Sequence, residues 1–310
     1  MTDLGTAHLT PGPHTVREGV VSVILVNFHG ADDTIVCLKA FDDVDWPADK
    51  LELIVVDNDS GDGQAERIAQ ACPTARVIES GGNLGFAGGC NLGVDHAEGQ
   101  YVAFLNNDAR PGRRWIAAAV ETMESDPTIR AVASKVLDWD GKLVDYVDGS
   151  LAWFGMGYKR EAERPDDGSY EVGRDVLFGT GAAFFIVAED YREVGGFDER
   201  FFLYCEETDL CWRLKRAEWE VVHLPQMTIC HFEDDRRGSA ALEAQAAYAR
   251  MQFARKHFPD AAADYRWAMA LRYGLRVGLY SLRGRRQSPQ RASASAALST
   301  VLHGDAPFGS

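Results

Sequence analysis

Apolar and polar positions change period repeatedly along the first hundred residues. Apolar runs at 20–26, 51–56, 75–78 and 101–105 are separated by helical patterns at 32–43 and 62–71, an order that predicts a βαβαβ beginning. Val20–Val26 and Leu53–Val56 are almost continuously apolar. Strands of that kind are buried on both faces, which implies a mostly parallel sheet with helices on each side. Sheets so built bind ligands beyond the carboxyl ends of their strands. Polar residues gather at those ends: Asn27, then Asp57-Asn58-Asp59-Ser60, the stretch from Gly81 to Asn91, and Asn106-Asn107-Asp108.

From about 130 the strands become shorter and glycine-punctuated, including Lys142–Tyr146 and Ala182–Val187 after Phe178-Gly179-Thr180-Gly181. This half is expected to be mixed rather than parallel. A helix follows at about 206–217, with Leu210, Leu214 and Ala217 at i, i+4 and i+7, then short strands near 219–223 and 227–231. After 238 the pattern is helical to about 283, interrupted at Pro259, and no internal repeat is visible. The boundaries drawn from this are a disordered N-terminus over 1–18, an α/β domain over 19–237 with halves meeting near 130, a C-terminal helical extension over 238–286, and a disordered Ser- and Ala-rich tail over 287–310.

Composition narrows the class. The 310 residues are 46% hydrophobic and 25% charged, which excludes a disordered, collagen-like or disulfide-scaffold chain. A net charge of −15 argues against nucleic acid as a partner, since that footprint needs excess Lys and Arg over a broad face. No apolar run approaches a membrane span and the N-terminus lacks a signal-peptide pattern, so the expected location is cytoplasmic. The six cysteines, Cys37, Cys72, Cys90, Cys205, Cys211 and Cys230, have no zinc-ribbon spacing and are expected to be reduced and mostly in the core. Residues 250–291 depart from the rest: they hold 10 basic and 2 acidic side chains, whereas 1–249 hold 22 basic and 44 acidic. There Arg266, Arg272, Arg276, Arg283, Arg285 and Arg286 are interleaved with Trp267, Leu271, Tyr273, Leu275, Leu279, Tyr280 and Leu282. Such a helix either lies at the inner face of an anionic membrane or packs on the protein with its arginines facing the acidic body.

Four constellations carry candidate chemistry. Asp57, ending a buried strand, can accept a hydrogen bond from a nucleobase or ribose, or it can be a turn acid. The glycine-rich stretch Gly81–Asn91 lets backbone amides approach a phosphate or sugar and opens a helix whose N-terminus favours anions. Asn106 and Asp108 put oxygen ligands at positions one and three of a loop, a spacing that can hold a hard divalent cation. Between Phe197 and Arg213, three carboxylates, Glu206, Glu207 and Asp209, stand where an aromatic-rich loop enters a helix. An acid held against apolar rings has a raised pKa and can serve as a base near neutral pH. His231, after a short strand, is either a buried structural imidazole or a metal ligand.

In this order the motifs resemble family 2 glycosyltransferases of the GT-A fold, and in particular their bacterial rhamnosyltransferase-like branch. The likeness covers about 20–235 and rests on five ordered stretches: 56–60, 83–91, 105–108, 195–213 and the strand-ending His231. It implies a GT-A fold, a Rossmann-like and mostly parallel central sheet flanked by helices, with a nucleotide-sugar half over about 19–130 and an acceptor half over about 131–237. By the same resemblance Asp57 holds the base of a nucleoside diphosphate sugar, Asp108 with Asn106 and His231 holds Mg²⁺ or Mn²⁺ on the diphosphate, and Glu207 is the general base with Asp209 in support. Asn27, Asn83, Gly85, Asn91, Gly181 and Glu206 complete the substrate-binding candidates. Two departures stand out: Asn106 is a neutral residue where the metal motif has an acid, and the base motif is Glu-Glu where many relatives have Glu-Asp.

The implied reaction is an inverting single displacement from dTDP-rhamnose or a UDP-hexose to a hydroxyl of a glycan, lipid-linked or small-molecule acceptor. A non-catalytic nucleotide-sugar-binding protein is the alternative. A sugar nucleotidylyltransferase fits less well, because Asn27-Phe28-His29-Gly30-Ala31 is not the basic, glycine-rich loop such an enzyme carries after its first strand.

Overall fold

The computed structural model describes residues 14–146, 148–151, 157–160, 164–168, 171–232, 239–282 and 288–308. The chain forms two compact units, one of Met1–Gly149, Lys159–Arg200 and Glu206–Phe232, the other of Ser150–Tyr158, Phe201–Cys205 and Glu233–Ser310. Of the N-terminus expected to be loose, residues 1–13 lie outside the described residues, and the first strand begins at Arg17.

The first unit opens with β1 (Arg17–Asn27), α1 (Ala31–Lys39), β2 (Leu51–Asp57), α2 (Gln64–Ala71), β3 (Ala75–Glu79), α3 (Gly85–Asp95) and β4 (Gly99–Leu105). These are the alternating elements that the apolar periodicity predicts, and β4, β1, β2 and β3 pair in parallel. Then come β5 (Ala109–Pro111), α4 (Trp115–Ser125), β6 (Ile129–Asp138), β7 (Leu143–Tyr146), β8 (Asp148–Leu151), β9 (Gly157–Arg160), β10 (Arg164–Pro165), β11 (Arg174–Asp175), β12 (Ala183–Val187), α5 (Ala188–Glu193), α6 (Glu206–Arg216) and β13 (Glu220–His231). The main sheet runs β10-β7-β6-β12-β4-β1-β2-β3, and β8 pairs with β9 separately. The parallel run is interrupted at β12, which is antiparallel to both β4 and β6, and resumes where β13 pairs in parallel with β6. The two strands expected near 219–223 and 227–231 are one strand, β13, whose register against β6 slips between Leu224 and Thr228. Pro225 lies in that interval and cannot donate to a ladder, so the strand bulges there instead of ending.

Both faces of the parallel strands are buried. Val23, Leu25, Val55, Ala103 and Leu105 pack with Trp115 and Phe185 on one side, while Ile24, Ile54 and Phe104 are also at most 1% exposed. The glycine-rich helix α3 lies close on the sheet. A Cβ at Gly93 would stand 2.4 Å from the Ile24 side chain, and one at Gly89 would stand 3.0 Å from Val26. Gly89, from the stretch Gly81–Asn91, and Gly93 beyond it therefore serve close approach of helix to strand.

The second unit contains α7 (Ala240–His257), α8 (Ala262–Leu282) and α9 (Pro289–His303). Ser239 and Ser288 cap α7 and α9 by accepting from the amides of Leu242 and Arg291, and Pro259 opens a short 3-10 turn between α7 and α8. The tail expected to be disordered over 287–310 thus holds a helix. Ala294, Ala297 and Val301 of α9 are fully buried against Met251, Met269 and Tyr273. Small residues at helical spacing permit that close packing, and they are the same residues that look like low complexity in the sequence. Within this unit Gln245, 1% exposed, donates to the carbonyl of Leu203 at 3.2 Å. No helix among the described residues is long and apolar enough to cross a membrane.

Candidate active site

The parallel register sets Asn27 directly opposite Asp57 at the carboxyl ends of β1 and β2. Asn27 Nδ2 donates to Asp57 Oδ2 at 2.7 Å and to Ser60 Oγ at 3.0 Å, while its Oδ1 accepts from Thr34 Oγ1 at 2.9 Å. Asn27 has no exposed surface and both ends of its amide are engaged by neighbours. It fixes the carboxylate beside it. Asp57 also accepts from the Ser60 amide at 3.0 Å, which leaves acceptor positions on both of its oxygens for a donor group.

Asn58 is the residue that sequence reasoning missed. Its side chain donates to Asn83 Oδ1 at 3.0 Å and to the Gly85 carbonyl at 2.9 Å, and accepts from the Leu84 amide at 2.9 Å. Asn83 in turn accepts from the Gly85 amide. Gly85 begins α3 with φ of 70°, a left-handed conformation that favours glycine, so Asn58 and Asn83 set the direction in which α3 leaves the loop. The only signal for Asn58 was its place between two acids in a turn-like sequence. Asn91 is a second correction. It has no exposed surface, donates to the Phe197 carbonyl and Glu199 Oε1, and accepts from Tyr191 Oη and the Phe197 amide. Its hydrogen bonds go to the loop after α5, leaving none for a substrate.

A second cluster joins the loop after β4 to the end of β13. Antiparallel pairing of β5 with β13 sets Ala109 opposite His231, which brings Asp108 and Asn106 beside the imidazole. His231 Nε2 lies 3.1 Å from Asp108 Oδ1 and 3.1 Å from Asn106 Nδ2, and its Nδ1 lies 3.9 Å from the Asp145 carboxylate. An acid behind Nδ1 favours the proton on that nitrogen and leaves the Nε2 lone pair toward Asp108. Asp108 Oδ1 is buried without a hydrogen-bond partner. A carboxylate and an imidazole converging on an orphaned oxygen suit a divalent cation, and an Asn amide can turn its oxygen inward to add a neutral ligand. Among the described residues no group of three or more His, Cys, Asp or Glu is arranged to hold a metal ion, so a cation here would need oxygens from a bound ligand.

The third cluster is the entrance to α6. Tyr204 and Cys205, with φ of 71° and 67°, turn the chain through left-handed backbone directly into Glu206. The three acids that follow meet three environments. Glu206 is 4% exposed, and burial pushes its carboxyl well above the usual range, with the Glu207 charge and a hydrogen bond to Glu207 acting the same way. Asp209 is fully buried and takes Arg213 Nε at 2.8 Å, while the same guanidinium donates to the carbonyls of Val194 and Gly196. Glu207 alone of the three is half-buried, with Thr208 Oγ1 3.4 Å from its Oε1. Gly181 faces these acids: a Cβ there would stand 3.5 Å from Glu206 Oε1 and 3.7 Å from the Glu207 Cβ. A half-buried acid between a buried acid of raised pKa and an ion-paired aspartate is placed to exchange a proton with a ligand.

The family model for Glycosyl transferase family 2 matches residues 22–176. This chain is 25% identical over 272 residues to an N-acetylglucosaminyl-diphospho-decaprenol L-rhamnosyltransferase of Mycobacterium tuberculosis (strain CDC 1551 / Oshkosh), covering 78% of this chain and 87% of that one. It is 24% identical over 231 residues to the rhamnosyltransferase WbbL of Escherichia coli (strain K12), covering 69% and 83%. Among solved structures, the mannosyltransferase PcManGT from Pyrobaculum calidifontis in complex with GDP-Man and Mn²⁺ superposes with a TM-score of 0.60 at 20% identity over 95% of this chain and 91% of that one, a likeness of fold. With half of its length matched by the family model, the chain belongs to glycosyl transferase family 2.

Proposed function

We propose that this glycosyltransferase transfers a sugar from a nucleoside diphosphate donor to an acceptor hydroxyl by a single displacement with inversion, and that Glu207 is the base. The observation that carries this reading is the sorting of the three acids at the start of α6: Glu206 and Asp209 are buried and Glu207 is half-buried. Asp57 accepts a hydrogen bond from the base or ribose of the donor. Asp108 and His231, with the amide of Asn106, would hold a divalent cation, Mn²⁺ or Mg²⁺, which when bound offsets the charge of the diphosphate. Glu207 accepts the proton of the acceptor hydroxyl, and the oxygen attacks the anomeric carbon from the side opposite the diphosphate. The anomeric carbon–oxygen bond to the diphosphate breaks, so that the nucleoside diphosphate leaves with its electron pair. An alcohol is a poor nucleophile at neutral pH, so a positioned base is worth about 10²–10⁴ in rate.

The rhamnosyltransferase relatives support dTDP-rhamnose as the first donor to test and UDP-hexoses as the second. The mycobacterial relative supports a lipid-linked diphosphate sugar as acceptor. Melting and turnover with a panel of nucleotide sugars, each with Mn²⁺, Mg²⁺ or EDTA, test the reading. One donor should stabilise the protein by about 2.7 kcal/mol at 100 times its Kd and be consumed only with metal. Full turnover in EDTA, or no donor that shifts the melt, would refute it.

A further inference from the structure

Five apolar side chains of α8 stand out from the second unit on one side. Trp267 is 70% exposed, Leu271 64%, Leu275 58%, Leu279 52% and Leu282 86%. Steps of four, four, four and three residues hold them within about 120° of the helix circumference and over about 22 Å of its length. The opposite face of the same helix is core, where Tyr265, Met269 and Tyr273 are buried. The buried face accounts for the docking of α8 on α9. Nothing in the fold of this unit, among the described residues, uses the outer one. Single exposed leucines are ordinary, but a continuous apolar strip marks an interaction surface.

Charge selects the occupant. Residues 250–291 hold 10 basic and 2 acidic side chains in a protein of net charge −15. Some of these cations are committed internally: Arg266 donates to the carbonyls of Val301 and Leu302, and Arg276 pairs with Glu243 at 2.9 Å. Arg272 is exposed one position after Leu271 and flanks the strip, and Arg283, Arg285 and Arg286 follow Leu282 in sequence. Asp264, one turn before Trp267, marks the strip's acidic end. A second copy of the chain docking by two-fold symmetry would bring this positive segment against itself. An anionic lipid surface accepts both the apolar strip and the cations.

We propose that the outer face of α8 docks on an anionic membrane surface. The helix lies in the interfacial plane, with Trp267 and the four leucines in the acyl boundary and Arg272 at the headgroup phosphates. This goes beyond the reading of the active site and does not depend on the donor or on Glu207. Flotation of the full chain with phosphatidylcholine vesicles, with and without phosphatidylglycerol, at low and high salt, tests it. Binding should require phosphatidylglycerol, weaken with salt, and fall by about tenfold or more in a Leu275→Asp, Leu279→Asp double variant. The milder pair Leu271→Gln, Leu282→Gln should reduce binding with an unchanged melting temperature, which separates loss of docking from loss of fold. Absence of binding to phosphatidylglycerol vesicles, or equal binding to neutral ones, overturns the proposal. So does sedimentation as a dimer that the double variant dissociates, which would give the strip to a second copy.

Discussion

In the corner where β1 and β2 end, Asn27, Asp57, Asn58 and Ser60 are each at most 4% exposed and are tied to one another or to the start of α3 by hydrogen bonds. At the entrance to α6, Glu206, Glu207 and Asp209 occupy a single helical turn yet differ in kind: a buried acid whose pKa burial raises, a half-buried acid, and a fully buried aspartate paired with Arg213. The corner is a satisfied network, which rigidifies whatever it holds. The entrance is a graded set in which the three acids differ in burial and in their partners. In the proposed mechanism the first arrangement serves donor recognition and the second proton transfer. A position in the corner should therefore fail by loss of shape, and a position at the entrance by loss of one specific proton or charge.

The largest stability effect is expected at Asp209. Asp209→Ala leaves the Arg213 guanidinium without its carboxylate in a closed site, at a cost of about 3–5 kcal/mol, measurable as a lower urea midpoint. An effect no larger than that of an exposed substitution would mean that the ion pair is not what fixes the entrance. Asn27→Ala comes next. It strands Asp57 Oδ2, while Thr34 Oγ1 keeps the Gly30 carbonyl and Asn107, and should cost about 1–3 kcal/mol, with weaker nucleotide binding in the same variant. Intact binding would show that Asp57 needs no orientation.

Glu206→Gln should have the smallest effect, and one that depends on pH. Because the folded state raises the Glu206 pKa, the folded chain keeps a proton that the unfolded chain releases above about pH 4.3. The stability this proton supplies is present in acid and declines as pH rises through the folded value. Removing the carboxyl should therefore make the variant gain stability relative to the native protein between pH 5 and pH 8, since the native group avoids charge by taking up a proton. A difference of the opposite sign would mean that Glu206 is ionised.

Much of the corner was legible in the sequence because its strands are continuous apolar runs that stop at polar residues. What periodicity does not encode is the direction of a polar side chain. Asn27 and Asn91 sit at positions that can face a ligand or a neighbour with equal ease, and both face neighbours. Asn58 was hidden because an Asn between two aspartates is also good turn chemistry. The glycines of α3 were ambiguous for a similar reason: glycine permits approach by a phosphate or by a strand, and at Gly93 the close neighbour is Ile24. At the entrance to α6 the sequence supplied all three acids but no measure of burial, and burial is what separates them. The helix α9 was overlooked because alanines and serines that pack closely in three dimensions have little hydrophobic contrast along the chain.

The proposed role of Glu207 beside the donor corner is decided by kcat and donor Kd for Glu207→Gln, with Glu206→Gln and Asp209→Asn measured under the same donor, acceptor and metal. Glu207→Gln should lower kcat by about 10²–10⁴ while donor Kd stays within about threefold. Near-normal turnover in Glu207→Gln, with turnover abolished in a folded Asp209→Asn, would contradict it and move the base one step further into α6.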